Sequence, residues 1–250
     1  MKKDMKIFEF SFNPKKRKDR FFEVYAYEPK SPMEKFRGSL YVVGELDNAL
    51  EFNSRFLRRL TSLIQAEYYA SSLKGAVPAL KNALKKANLF LTQESKRGNV
   101  DWLGNLHLTL LLFITVGEKK IVFHMAKTGS GKIFLVRGGM LVDVGKNLEA
   151  GSSLQPGKVF GNLVSGTLVP GDSVTTATKE IFDILSKEKS LSELGALKEA
   201  KEFRTFFAKR SRLLSQSSGV LVSFVIEEEA AKRSSQRKSL LPSLRLPAQA

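Results

Sequence analysis

The chain has 250 residues, of which 42% are hydrophobic, a composition ordinary for a globular protein with a substantial core. It contains no cysteine, which excludes disulfide bonds and thiolate metal sites and is consistent with a reducing compartment. The longest apolar run, at 108–116, is too short to span a membrane, and the N-terminal residues lack the apolar core of a secretory signal. We therefore expect a cytoplasmic protein.

The formal net charge of +16 is concentrated at the two ends of the chain. Residues 1–20 carry eight Lys/Arg and three acids, and residues 230–250 carry five Lys/Arg and no acid. Such runs are most often solvated, although they also allow binding to nucleic acid or to an anionic membrane surface. We expect a folded domain at 1–229 and a basic, disordered tail or linker at 230–250, which allows membrane association.

Hydrophobic periodicity predicts the elements in chain order. Alternation of apolar and polar residues indicates three early strands, and apolar residues spaced by three and four then indicate two helices. The period returns to two in the middle of the chain, and two further helical stretches precede a last apolar strand. The predicted strands lie near 6–12, 20–27, 38–46, 105–116, 119–126, 133–137, 140–144, within 159–179, and at 219–228; the predicted helices lie near 48–70, 76–91, 179–187 and 190–210.

This order of elements limits the fold. Strands and helices do not alternate strictly, which argues against a doubly wound nucleotide-binding fold. Antiparallel strands segregated from helices instead predict an α+β domain in which two sheets carry helices on their outer faces.

The stretch AKTGSGK at 126–132 superficially matches a phosphate-binding loop. That loop begins with glycine and places Ser or Thr after its lysine, but this chain has Ala126 and Ile133 at those positions. The residues that follow are typical of two short strands rather than a helix. The stretch is therefore predicted to be a turn between strands.

Three segments, together with the element order, resemble the PPM-type (type 2C) metal-dependent protein Ser/Thr phosphatases. LVSGTLVPGDSVTTATKEIFDIL at 163–185 is similar to the family's L-x-P-G-D segment, apolar strand and T-D-G segment. HMAKTGSGKIFLVRGGML at 124–141 is similar to the segment containing the G-D-S-R turn, and DWLGNLHLTLLLFI at 101–114 to the M-G-T-T-L strand. The resemblance extends over residues 6–228 and implies a four-layer αββα sandwich of two antiparallel sheets flanked by helices.

The resemblance assigns family positions to individual residues of this chain. Asp19 takes the place of the second acid of the N-E-D segment, with a lysine where the other acid belongs. Glu45 and Leu46 replace the aspartate and glycine of A-D-G. Lys179 replaces the aspartate of T-D-G, and Ser217 replaces the aspartate of D-N-x-T. The G-D-S-R turn corresponds to Gly129, Ser130, Gly131 and Lys132.

These replacements bear on the chemistry that the resemblance implies. In the family, two divalent cations lie between the sheets, held largely by aspartates, and a bridging water attacks the phosphate. A lysine in place of one ligand repels a cation, because two like charges about 4 Å apart repel by roughly 4 kcal/mol at an effective dielectric of about 20. We therefore expect no cofactor, with Lys179 paired to Glu45 or Asp19 instead.

The leading hypothesis is a pseudophosphatase: a PPM-type domain without the hydrolytic reaction, which acts as a binding or regulatory module in signalling. Its expected partner is a protein, with a phosphorylated protein included. Two alternatives stay open. One is a divergent but active Ser/Thr phosphatase that uses Mg²⁺ or Mn²⁺, and the other is a basic protein that binds nucleic acid or a membrane surface through its ends.

Several other polar residues are predicted to be structural. His107 and His124 lie in apolar strands and are expected to make strand or core hydrogen bonds rather than to bind metal. Asp172 follows Pro-Gly and is typical of a turn. Asp47 or Asn48 is expected to cap the helix that follows.

Overall fold

The computed structural model of the protein describes residues 5–29, 31–48, 53–117, 120–148 and 155–227. These residues form ten strands in two antiparallel five-stranded sheets, which confirms the expected α+β class. The predicted basic tail lies outside the described residues. The strands are β1 (Met5–Phe12), β2 (Arg20–Tyr27), β3 (Ser39–Asp47), β4 (Leu106–Val116), β5 (Lys120–Thr128), β6 (Lys132–Arg137), β7 (Met140–Asp143), β8 (Val164–Leu168), β9 (Ser173–Ala177) and β10 (Gly219–Ile226).

Helices cover the outer face of each sheet. Within the described residues, none of them is long and apolar enough to cross a membrane. The helices are α1 (Pro32–Lys35), α2 (Asn53–Tyr69), α3 (Ala76–Lys96), α4 (Lys179–Lys187), α5 (Leu191–Ala196), α6 (Ala200–Lys209) and α7 (Ser211–Leu214).

The strand order places distant parts of the chain side by side. One sheet has the order β1-β10-β9-β6-β7, and the other has the order β2-β3-β4-β5-β8. The first and last described strands are neighbours, with Met5 opposite Ile226. Strands β2 and β3 pair with Arg20 opposite Asp47, and this register determines which polar side chains meet between the sheets.

The two sheets pack face to face through an apolar core. Alternate residues of each strand point to this core because successive strand side chains point to opposite faces. Phe224 of β10 illustrates the packing, since its ring centre lies 5.0 Å from that of Tyr41 and 4.7 Å from that of Phe113, both in the other sheet. The layer between the sheets is thus a true hydrophobic core.

Two outer cores complete the four layers. Helices α2 and α3 bury apolar residues against the sheet that contains β3 and β4; Leu57, for example, packs on the backbone of Gly44. Helices α4 to α7 cover the other sheet, where the ring of Phe203 packs against those of Phe8 and Phe10. The arrangement is the four-layer αββα sandwich expected from the sequence.

The structure differs from the predicted elements mainly after α4. The single helix predicted at 190–210 is divided, because Leu197 adopts an extended backbone and ends α5. A new helix, α6, then starts after Glu199, whose backbone N–H is capped by the side chain of Glu202. Helix α1 was not predicted; it is a short turn capped by Ser31.

We expect Phe224→Ala to lower the free energy of unfolding by about 3–5 kcal/mol, because it empties the centre of the layer between the sheets. Phe36, which is 82% exposed, supplies the matched control, and Phe36→Ala should change stability by less than about 0.5 kcal/mol. Chemical denaturation of both variants measures the difference. Equal small losses would contradict this packing.

Candidate functional site

One end of the layer between the sheets is polar. In β3, Tyr41 and Val43 lie in the apolar core between the sheets. Glu45 and Asp47 continue the same face of the strand toward its end. Because alternate residues of a strand share a face, the carboxylates of Glu45 and Asp47 both point into the space between the sheets.

Arg20 lies at the centre of this polar end. Its Nε donates to Asp47 Oδ1 at 2.8 Å, and its Nη1 donates to the Glu180 carboxylate. Its Nη2 lies 3.5 Å from Glu45 Oε1. The Arg20 side chain is only 14% exposed, so one guanidinium serves three carboxylates in a partly desolvated place.

The position of Arg20 follows from the strand pairing. Arg20 begins β2 and lies directly opposite Asp47 of β3, on the face that carries Phe22 and Val24 into the core. Burial opposes the charged form of Arg20, but the hydrogen bond that Arg20 donates to Asp47 and the charges of the neighbouring carboxylates outweigh this effect, so the pKa of Arg20 is raised. The guanidinium therefore stays charged and fixed.

Glu180 joins the cluster from the other sheet's helical layer. It is the second residue of α4, and its Oε1 accepts from the backbone N–H of Ser218 at 3.1 Å. Arg20 also donates to the carbonyl of Ser218 at 3.3 Å, and Arg17 lies 3.5 Å from Glu180. These contacts join α4 and the start of β10 to strands β2 and β3.

Glu45 is the least satisfied member of the cluster. It is 2% exposed, and neither carboxylate oxygen makes a hydrogen bond within the described structure. Burial raises the pKa of Glu45 to about 7, although the charge of Arg20 opposes this shift. Near neutral pH the group is thus partly protonated.

His107 connects the cluster to the turn between β5 and β6. Its Nε2 lies 3.2 Å from Asp47 Oδ2, and its Nδ1 accepts from the backbone N–H of Ser130 at 3.1 Å. An acceptor Nδ1 requires that Nε2 carry the proton, which then points to Asp47. His107 therefore orients Asp47, and the expected structural hydrogen bond is present. His124 likewise pairs with Ser165 Oγ at 2.7 Å.

The stretch at 126–132 is a turn, as predicted. It joins β5 to β6, and Gly129 has a positive φ of 72°. A Cβ at Gly129 would lie 2.1 Å from His107 Nδ1, so the glycine permits the approach of the imidazole. Buried Lys127 donates to the carbonyl of Gly131 at 3.0 Å, and Lys132 opens β6.

The structure corrects one expected ion pair and separates several predicted site residues. Lys179 does not pair with Glu45 or Asp19; its Nζ lies 2.5 Å from Asp183 one helical turn away, on the exposed side of α4. Asp19 pairs with Arg17 at 2.7 Å in an exposed loop, and this hydrogen bond lowers the pKa of Asp19. The compensating cation is Arg20 instead.

Two further predicted residues are buried but make other contacts. Ser217 Oγ donates to the carbonyl of Leu214 at 2.7 Å. Leu46 packs in the core beneath α2 and α3, on the face of β3 opposite Glu45. Either Asp47 or Asn48 was predicted to cap the next helix, but residues 49–52 lie outside the described residues; the Asp47 carboxylate accepts from Arg20 and faces His107.

The residues present do not fit a two-cation centre. Within the part of the chain that the structure describes, no three His, Asp or Glu side chains are arranged to hold a metal ion. The carboxylates that come together, Glu45, Asp47 and Glu180, surround a guanidinium. A fixed positive charge in that place repels a divalent cation, and it already occupies oxygens of Asp47 and Glu180 through hydrogen bonds.

We expect Glu45→Gln to stabilise the protein at about pH 8 and to have little effect at about pH 4. The folded carboxyl has a pKa near 7 against 4.5 when unfolded, so the folded chain holds an extra proton between these values. Stability contributed by the protonated carboxyl is lost as the pH rises through 7, by up to about 3 kcal/mol. Chemical denaturation at both pH values measures the difference.

The control for this variant is Glu23→Gln, because Glu23 forms a surface pair with Arg58 and its side chain is 34% exposed. It should change stability by less than about 1 kcal/mol at either pH. If Glu45→Gln destabilised the protein at about pH 8, the ionised carboxylate would be favourable beside Arg20, contrary to the burial argument.

Comparisons with known proteins identify the fold. No family model and no curated protein matches the chain. Among solved structures, the Mycobacterium tuberculosis serine/threonine phosphatase PstP aligns with 14% identity and a TM-score of 0.58, over 90% of this chain and 98% of that chain. Stp1 of Staphylococcus aureus aligns with 12% identity and a TM-score of 0.58, over 90% and 94%.

PppA, a regulatory component of T6SS in Pseudomonas aeruginosa, aligns with 16% identity and a TM-score of 0.51, over 82% of this chain and 97% of that chain. The fold of this protein is therefore that of the PPM-type Ser/Thr phosphatases. At these identities the likeness establishes the architecture alone.

Proposed function

We propose that this protein is a PPM-type pseudophosphatase, a phosphatase-like domain that has lost metal-dependent hydrolysis and acts as a binding or regulatory module. The observation that carries the proposal is the guanidinium of Arg20 among Glu45, Asp47 and Glu180. In the family that the chain resembles, the cations lie between the two sheets, and the resemblance assigns Glu45 to a ligand position there. An internal ion-pair cluster there keeps the fold closed without them.

The electrostatics of the cluster support this function. Asp47 and Glu180 each make a hydrogen-bonded pair with Arg20, which leaves Glu45 as the one carboxylate of the three without a hydrogen bond. Protonation of Glu45 removes its charge without an added cation. Arg17, 3.5 Å from Glu180, adds a second positive charge, so that two guanidinium groups then face two charged carboxylates.

One observation favours the second candidate, a divergent but active Mg²⁺- or Mn²⁺-dependent phosphatase. Both oxygens of Glu45 are buried and lack hydrogen-bond partners, and such oxygens are ligands that hard cations prefer. Arg20 would have to leave the cluster for a cation to replace it. Because that displacement breaks two hydrogen-bonded pairs, we favour the first candidate.

We expect no hydrolysis of a phosphothreonine peptide at any Mn²⁺ concentration, and no change in the unfolding temperature on Mn²⁺ addition. A cation bound only by the folded chain would raise that temperature by mass action. A manganese-dependent phosphatase assayed in parallel is the positive control. Metal-dependent turnover that Glu45→Ala abolishes would overturn the proposal in favour of the second candidate.

We expect Arg20→Gln to lower the free energy of unfolding by about 3 kcal/mol, because three carboxylates lose the cation that they share. Added Mn²⁺ should then raise the unfolding temperature of this variant but not that of the parent chain. Arg58→Gln is the control, since Arg58 pairs with Glu23 on the surface. Equal stabilisation of parent and variant by Mn²⁺ would contradict the role of Arg20.

A further inference from the structure

A groove on the outer surface of the domain lies between helix α3 and residues 157–163, which begin within a 3₁₀ turn at Pro156–Lys158. Its cavity volume is about 460 Å³, within the range of binding clefts. It is on the helical side of the sheet that contains β3, away from the Arg20 cluster. The lining residues of this α3 groove are Lys81, Leu84, Lys85, Asn88 and Leu89 on the helix, and Gly157, Phe160, Gly161, Asn162 and Leu163 opposite.

The floor of the α3 groove is apolar. Leu84, which is only 6% exposed, and Leu89 both line the groove from α3, five residues or about 1.4 turns apart. Phe160 and Leu163 approach from the other wall. Leu89 is 50% exposed, so a large apolar side chain stands half in solvent at the groove.

The far wall of the groove is held in place by Asn88. The Asn88 amide donates to the carbonyl of Phe160 at 2.9 Å, and its Oδ1 accepts from the N–H of Phe160 at 2.9 Å. Such a pair of bonds fixes the loop backbone against the helix without closing the space beside it. Gly161, next in the chain, brings no side chain into the opening. The groove is therefore preformed rather than created by a ligand.

The charges around the groove have one sign. Lys81 and Lys85 are exposed and line it, and none of its described lining residues is acidic. Lys86 follows on the same helix, and Glu94 near the helix end is already paired with Arg59 and Arg97. An apolar floor with a cationic edge is complementary to a ligand that has apolar side chains between carboxylates.

The positive charge of the groove also distinguishes between two candidate ligands, the chain's own C-terminal stretch and a segment of another protein. The C-terminal stretch at 230–250 contains leucines, but it carries five Lys/Arg and no acid, so Lys81 and Lys85 would repel it. An acidic segment of another protein gains both the apolar contacts and the ion pairs.

We propose that the α3 groove binds an acidic peptide segment of a partner protein, with its apolar side chains against Leu84, Leu89 and Phe160 and its carboxylates beside Lys81 and Lys85. This site is separate from the Arg20 cluster. If the groove binds no peptide, the proposal that the domain lacks hydrolytic activity is unaffected. If the domain proves to be an active phosphatase, the proposal about the groove is unaffected.

The test is fluorescence anisotropy with a set of fluorescein-labelled synthetic peptides in which leucines at different spacings are separated by Asp and Glu. We expect at least one to bind the full chain, and Lys85→Glu and Leu89→Ser each to weaken that binding about tenfold. Lys86→Glu is the matched control, because it makes the same charge change on the next residue, which does not line the groove. It should weaken binding less than about twofold.

Three results would overturn the proposal. The first is no binding by any peptide of the set at low salt. The second is equal weakening by Lys85→Glu and Lys86→Glu, which would indicate general attraction to a basic surface. The third is binding to phosphatidylserine vesicles that Lys85→Glu and Leu89→Ser abolish while peptide binding is unaffected, which would make the groove a lipid-binding surface. Unchanged unfolding temperatures of the variants establish that each is folded.

Discussion

The ion pairs of Arg20 are the interaction on which the polar end of this sandwich depends. Three carboxylates from one strand and one helix converge there, and without a cation they would repel one another in a partly desolvated space. One guanidinium can stabilise all three because its planar group of N–H donors can contact several carboxylate oxygens at once. The polar end of the layer between the sheets is thereby held together by a side chain of the protein itself.

The cluster also connects the layers of the domain. Arg20 belongs to one sheet, whereas Glu180 belongs to the helix that packs on the other, and both contact Ser218 at the start of β10. His107 extends the connection to the turn at Ser130. This turn is the one that resembles the G-D-S-R segment. It has a structural role here, because its backbone N–H orients the His107 imidazole that faces Asp47. Burial makes the charged form of the Glu45 carboxyl unfavourable, and partial protonation reduces this free-energy cost.

The fold could be predicted from the sequence because its strands and helices carry clear periods of two and of three to four, from β2 at Arg20–Tyr27 to α4 at Lys179–Lys187. The cluster could be predicted only in part. Glu45 was found from a motif position, but Arg20 and Glu180 were missed, because Arg20 stands in a basic run and meets its partners only through the β2–β3 register. The sequence did contain one signal for Arg20. Arg20, Phe22 and Val24 alternate along β2, so the charge of Arg20 lies on the face of the strand that points to the core. The break at Leu197 is followed by a capping interaction between Glu199 and Glu202 at the start of α6, which periodicity does not reveal.

The central claim is that protein charge, not a metal ion, balances Glu45, Asp47 and Glu180. The most direct measurement is a crystal structure grown with excess MnCl₂, with anomalous diffraction recorded at the manganese edge. We expect Arg20 among the three carboxylates and no anomalous peak there. A manganese peak in contact with Glu45, with Arg20 turned away, would contradict the claim.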